Sequence, residues 1–182
     1  GMGRTGKLFA HEWVDGAAPD ILCSAKGIGG GFPFGACLTT ETVGEHMQPG
    51  SHGSTYGGNP LAMAVANAVL DVVLADGFLD RVDAMARKLW TRLEELVAGN
   101  PKVFEEVTGA GLMVGLKCVP ENATVVGKFT EGGLLTVAAG NNVVRLVPPL
   151  IIEDSHVDEA LTIMEKACAE LAAGGETRGA AG

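Results

Sequence analysis

The chain has 182 residues, 47% hydrophobic and 19% charged, which suits one full domain or two small ones and excludes a mostly disordered chain. Lys and Arg number 13 against 22 Asp and Glu, a net charge of −9 with no basic stretch, so nucleic acid is not an expected partner. No apolar run reaches the ~18 residues of a membrane span, and the opening GMGRTGKLF lacks the apolar segment of a signal peptide, so the simplest expectation is a cytoplasmic protein. Glycine is in excess, with 27 residues, 14 of them in residues 1–60 and none periodic. Such density marks tight turns and close backbone approaches. Cys23, Cys37, Cys118 and Cys168 form no C-x-x-C pair and lie in apolar stretches, so buried free thiols are expected rather than a disulfide framework.

In chain order, Ile21–Ala25 reads as a buried strand, followed by Lys26 and the run Gly27-Ile28-Gly29-Gly30-Gly31. Residues 35–40 read as a second strand, and strand, glycine loop and strand together suggest a sheet rim where a ligand lies. Asn59 suits an N-cap and Pro60 a first helical position, opening a helix that is apolar nearly all round and is expected to be buried on most sides. No helix is expected before residue 60. Residues 78–98 form an amphipathic helix with Leu79, Val82, Met85, Leu89, Leu93 and Leu96 at steps of three and four. Strands are expected at 103–107, 112–119, 134–137 and 143–147, with a short helix at 123–131. A last helix starts near Ser155, capped with Asp158, and carries Val157, Leu161, Met164, Cys168 and Leu171 on its apolar stripe. Residues 1–70 read as part of an α/β layer, 71–171 as an α+β unit with a small, mostly antiparallel sheet, and 172–182 as a mobile tail.

Four groups carry candidate chemistry. Gly1-Met2-Gly3-Arg4-Thr5-Gly6 spells G-x-G-x-x-G, a weak dinucleotide signal without a strand before it and a helix after it. Lys26 is either a solvated surface lysine or an amine that loses its proton easily and attacks an aldehyde. Ser54 and Thr55 lie in a loop before a helix N-terminus, which is either a capping loop or an anion site. Arg145 lies in an apolar strand, either on its solvent face or paired with an anion through its planar fork. The four histidines have no ligand spacing, so no metal site is expected. Trp13 and Trp90 read as packing residues.

Four stretches, GMGRTGKLFAHEW, PDILCSAKGIGGGFPFGACL, GSHGSTYGGNPLAMAVANAVLDVV and NVVRLVPPLII, occur here in the order and style of the class III pyridoxal-phosphate-dependent aminotransferases, and residues 1–171 resemble that family. Within it the chain looks most like the branch that acts on acetylornithine. The resemblance implies an α/β fold of fold type I, with 1–70 as the end of the large cofactor domain and 71–171 as the small C-terminal domain. It implies pyridoxal 5′-phosphate as cofactor, Lys26 as the lysine that holds it, Ser54 and Thr55 as the loop reaching the cofactor phosphate of a partner subunit, and Arg145 as the clamp for the substrate carboxylate. It further implies a homodimer with shared sites, N-acetylornithine or N-succinyl-diaminopimelate as amino donor, 2-oxoglutarate as acceptor and a place in arginine biosynthesis. Members that use ornithine or 4-aminobutyrate share these motifs.

The family's aspartate for the ring nitrogen, its same-subunit phosphate loop and its ring-stacking aromatic fall outside the 182 residues. The expectation is a C-terminal portion with little or no transaminase activity by itself. The alternatives are a non-catalytic dimerising module derived from such an enzyme and, on the first six residues, a nucleotide-binding module.

Overall fold

Two short runs of apolar and small residues, ILCSA and GACLT, set up the first sheet. Ile21–Ala25 (β1) pairs antiparallel with Gly35–Thr39 (β2), Ile21 opposite Thr39 and Ala25 opposite Gly35. The structure, a computed structural model, describes residues 1–178, with side chains through 173. Its first unit runs from Gly1 to Asp80 and its second from Arg81 onward, a division inside the long second-unit helix where the sequence suggests one near residue 70.

In the first unit a helical turn, Glu41–Gly44 (α1), follows β2, which is helix where none was expected. Pro60–Val73 (α2) begins as its sequence requires. Asn59 Oδ1 accepts from Ala62 N at 2.9 Å, and Pro60 sits where a missing N–H costs nothing. The burial expected for α2 is not found. Ala62, Ala66 and Val73 are buried, but Leu61, Val72 and Leu74 are exposed. Within this unit α2 packs on the glycine-rich turn after β1 through Val69, while its Leu61, Met63 and Val72 are exposed.

The second unit begins within Phe78–Gly99 (α3), whose Val82, Met85, Leu89, Leu93 and Leu96 are buried as their spacing predicts. Phe104–Ala110 (β3) and Met113–Cys118 (β4) form a hairpin. Gly109 there has φ +116° and would carry a Cβ 2.1 Å from the carbonyl oxygen of Met113, so only glycine fits. Asn122–Glu131 (α4), Val137–Ala139 (β5), Val143–Leu146 (β6) and Asp154–Arg178 (α5) complete it. The sheet is wholly antiparallel in the order β3-β4-β6-β5. Val82 and Leu93 of α3, Leu116 of β4, Phe129 of α4, Val144 of β6 and Met164 of α5 meet in its core.

Several boundaries differ from the sequence expectation, among them the end of β3, which runs on to Ala110 where 107 was expected. β5 begins at Val137, because α4 closes in a Schellman turn: Leu134 N donates to Phe129 O at 2.8 Å and Gly133 N to Thr130 O at 3.0 Å, with Gly133 at φ +93°. That turn takes up Leu134, which was expected in the strand. α5 starts at Asp154, so Ser155 is already helical, and the incoming chain is capped instead by Glu153 N donating to His156 Nδ1 at 3.0 Å. α5 also continues to Arg178, so the tail expected from residue 172 begins as helix, while 179–182 lie outside the described residues.

Between β5 and β6, Asn141 and Asn142 both adopt left-handed backbone (φ 57° and 58°), a conformation Asn tolerates. The Asn142 side chain donates to Cys118 O at 2.7 Å and Pro120 O at 2.8 Å, and accepts from Asn122 N at 2.8 Å. Asn122 Nδ2 donates in turn to Ala139 O and Val143 O. These bonds fix where β6 starts. At about 1 kcal/mol per bond, plus the cost of left-handed backbone, Asn142→Ala should destabilise the fold by roughly 2–4 kcal/mol. Urea unfolding followed by circular dichroism measures it.

Candidate functional site

Lys26 directly follows β1 and opens a 3₁₀ turn, Lys26–Gly29, with its own backbone left-handed at φ 52°. Ile28 and Gly29 are buried and anchor the turn. Gly30 closes it at φ +54°, its N–H donating to Gly27 O at 3.1 Å, and packs so closely on α2 that a Cβ there would lie 2.8 Å from Val69 Cγ2. The turn is therefore fixed from below while the Lys26 side chain is exposed. Among the described residues its ammonium has no hydrogen-bond or ion-pair partner.

β1 is not the buried strand expected. Its residues alternate exposed and half-buried, because among the described residues β2 is its one partner strand. Cys23 and Cys37, expected to be buried, are exposed, whereas Cys118 and Cys168 are buried as expected. Trp13 is 55% exposed rather than packed, with Nε1 donating to Thr5 O at 3.1 Å and the Lys7 ammonium 4.5 Å from its ring centroid.

Ser54 and Thr55 belong to the same unit as Lys26, and both are exposed. Ser54 Oγ accepts from Gly57 N at 2.9 Å, which leaves its O–H free to donate. Neither residue hydrogen-bonds Lys26 in the described chain.

The G-x-G-x-x-G run is not a phosphate loop. Gly3 N donates to Leu8 O and Gly6 N to Gly3 O, both at 3.0 Å, so those amides are already used. The next element is a four-residue 3₁₀ turn, Ala10–Trp13, and not the helix a pyrophosphate site needs.

Arg145 lies on β6 between the buried Val144 and Leu146, opposite Gly115 of β4 and Val137 of β5. Strand alternation turns it to the exposed side. Its guanidinium has no partner among the described residues. It lines a cavity of about 470 Å³ whose walls are apolar, from Leu134, Val147, Pro148 and Ile152 among others. Arg81 Nη2 donates to Ile152 O at 3.0 Å and holds that wall. Lys26, Ser54 and Thr55 are thus in the first unit and Arg145 in the second.

Sequence reasoning did not single out Thr136, which lines the same cavity. Its Oγ1 is buried without a partner. Nothing in a lone threonine before a short strand signals that. Nor did it single out Asn142, where a pair of asparagines reads only as a turn.

Residues 1–168 match the family described as aminotransferase class-III. The chain belongs to that family. It is 54% identical over 171 residues to the acetylornithine aminotransferase of Brucella melitensis, covering 94% of this chain and 42% of that one. Among solved structures, N-acetylornithine aminotransferase from Stenotrophomonas maltophilia K279a superposes at a TM-score of 0.83 with 37% identity, covering 96% of this chain and 46% of that one. Ornithine aminotransferase from Toxoplasma gondii superposes at 0.85 with 32% identity, covering 94% and 41%. The chain thus spans less than half the length of these relatives. Its mixed α/β architecture is that of a portion of a fold-type I enzyme, and its relatives are pyridoxal-phosphate-dependent aminotransferases. Among the described residues no single helix is long and apolar enough to cross a membrane.

The orphan hydroxyl gives a direct test of the cavity. Thr136→Val removes a buried O–H that bonds to nothing in the chain, so stability should stay the same or rise by up to about 1 kcal/mol. A urea midpoint lowered by the substitution would show that the hydroxyl is satisfied.

Proposed function

We propose that this chain supplies the cofactor lysine and the substrate arginine of a class III transaminase that moves an amino group from N-acetylornithine to 2-oxoglutarate, as in arginine biosynthesis, with N-succinyl-diaminopimelate as a second donor. The observation that carries the reading is the unpartnered primary amine of Lys26 on a turn anchored by Gly30 against Val69. A group with an aldehyde and a phosphate fits the residues present: a free amine to condense with, glycines at 27 and 29–31 that leave the turn bare of side chains, and the exposed hydroxyls of Ser54 and Thr55 as donors. The 54% identity to a protein named acetylornithine aminotransferase supports this donor.

Pyridoxal phosphate, when bound, supplies the aldehyde and the electron sink that make the C–H beside a substrate's free amino group acidic. Lys26 Nζ would hold it, and with that amine free Lys26 would be the base that takes a proton from the substrate carbon bearing the reacting amine and the acid that returns it. Arg145 would donate two parallel N–H bonds to the carboxylate beside the reacting carbon of 2-oxoglutarate. 2-Oxoglutarate carries a carboxylate beside its reacting carbon, where Arg145 would hold it, whereas N-acetylornithine, its α-amine acylated, reacts at the carbon of its free terminal amine, away from its carboxylate. Ser54 and Thr55 donate to the phosphate held by a partner subunit, which makes the working protein a homodimer with shared sites. This activity is proposed for a protein of the relatives' full length.

Incubating the chain with pyridoxal phosphate, reducing with borohydride and mapping the peptides should place the label on Lys26, and Lys26→Ala should lose it. Label on a different lysine, with Lys26 unmodified, would overturn the reading. With the cofactor loaded, Arg145→Met should weaken 2-oxoglutarate binding by roughly tenfold or more in calorimetry, the worth of a charged hydrogen-bond pair.

A further inference from the structure

The glycine run at the start of the chain is not a phosphate loop, and its geometry serves another end. Arg4 N donates to Gly1 O at 3.4 Å across Met2 and Gly3, whose φ values are +54° and +82°. Positive φ at both central residues is the signature of a type I′ turn, whose central places are held mostly by Gly, Asn and Asp. Methionine there carries the steric penalty of a Cβ in left-handed backbone. Such strain persists where the surroundings over-determine it, and it gathers at functional sites.

The strained turn buries one side chain. Met2 is 8% exposed, and among the described residues it and Ile28 are the largest side chains buried in the first unit. A Cβ at Gly27 would lie 3.2 Å from Met2 Cβ and 3.6 Å from its Cγ, so Met2 packs directly against the residue that follows Lys26. Among the described residues of this unit, Met2 and Lys26 are the two non-glycine residues with left-handed backbone, and Gly27 joins them. The turn that carries the amine is thus held at both ends, Gly27 on Met2 and Gly30 on Val69. Both contacts lie inside one unit and rest on burial, which further chain would preserve.

We propose that Met2 is a positioning residue for Lys26. Its side chain, seated against Gly27, fixes the start of the lysine turn and with it the point from which the amine reaches an aldehyde. The role toward an aldehyde rests on the aminotransferase reading, whereas the clamp on the turn rests on the packing alone. Methionine suits the place because an unbranched side chain fills a gap of irregular shape. Truncation to alanine keeps the Cβ beside Gly27 and removes the Cγ, Sδ and Cε that complete the contact. Leucine keeps the apolar volume, a swap that packed sites tolerate well.

The test compares the 182-residue chain with Met2→Ala and Met2→Leu by two measurements. Amide exchange followed by NMR reads the clamp. In Met2→Ala the Gly30 amide, which donates to Gly27 O, should exchange roughly tenfold faster, while amides 66–70 of α2 keep their protection. Met2→Leu should restore the Gly30 amide. Unchanged Gly30 exchange in Met2→Ala would overturn the proposal, and so would loss of protection throughout α2, which would make Met2 a general packing residue. Borohydride trapping with limiting pyridoxal phosphate reads the amine. The yield on Lys26 relative to the exposed Lys166 of α5 should fall roughly tenfold in Met2→Ala and return in Met2→Leu. An unchanged ratio in Met2→Ala would overturn the positioning role. A wild-type chain in which Lys26 takes no label would instead overturn the aminotransferase reading, and the Gly30 exchange would still decide whether Met2 clamps the turn.

Discussion

Lys26 sits in left-handed backbone, which costs a residue with a Cβ about 1–2 kcal/mol, and it is kept there by two neighbouring constraints. On one side the β1–β2 register ends at Ala25 opposite Gly35, so the chain must turn at once. On the other, Gly30 lies against Val69 with no room for a side chain, and Ile28 and Gly29 are buried beneath the turn. The strain is local and the anchoring comes from α2, so the amine is presented at the start of a rigid turn rather than at the end of a loose loop. A nucleophile gains from such presentation, because the freedom a long side chain must give up is already reduced at its backbone.

The second unit places Arg145 by a comparable device. Its neighbours Val144 and Leu146 are buried in the sheet, so strand alternation puts the guanidinium on the opposite side without a hydrogen bond to direct it. The register is set at the far end of β6 by Asn142 and Asn122, whose side chains bond five backbone groups between Cys118 and Val143. A one-residue slip would turn Arg145 into the core and Val144 out of it, which is why so many polar bonds at this turn bear on the cation three residues later.

Much of the second unit was legible in the sequence, because its elements bury one face and leave the other wet. The α3 spacing gave Val82, Leu89, Leu93 and Leu96 correctly, and α5 gave Val157, Leu161, Met164 and Cys168. The first unit was less legible, because β1 and α2 are apolar and small on several sides and their composition announces neighbours that the unit does not contain. The β5 start was missed because a Schellman turn is a backbone event, visible in sequence only as Gly132-Gly133. Lys26 and Arg145 stood out as cations in apolar surroundings. Thr136 did not, since its orphan state depends on the cavity wall opposite it, and the facing of Cys23 and Cys37 depends on a strand register that no single strand encodes.

Charge placement explains why both cations stay available. The chain has 22 acidic residues against 13 Lys and Arg, so a basic side chain meets carboxylates easily. Several do: Lys88 with Asp154 at 3.0 Å, Arg92 with Asp158 at 2.9 Å and Lys128 with Glu131 at 2.7 Å. Those pairs are made on helices, where acids are dense. β1, β2, β4, β5 and β6 read ILCSA, GACLT, MVGLKC, VAA and VVRL, without one Asp or Glu. Lys26 emerges from the first of these strands and Arg145 from the last. Each cation is therefore separated from internal carboxylates by the composition of the strands that carry it. A carboxylate at Ser24 or Val137 would provide an internal partner, raise the amine's hold on its proton or occupy the guanidinium, and compete with any anionic ligand for the same donors. Keeping these strands free of acid preserves both cations for a ligand in a protein whose net charge would otherwise neutralise them.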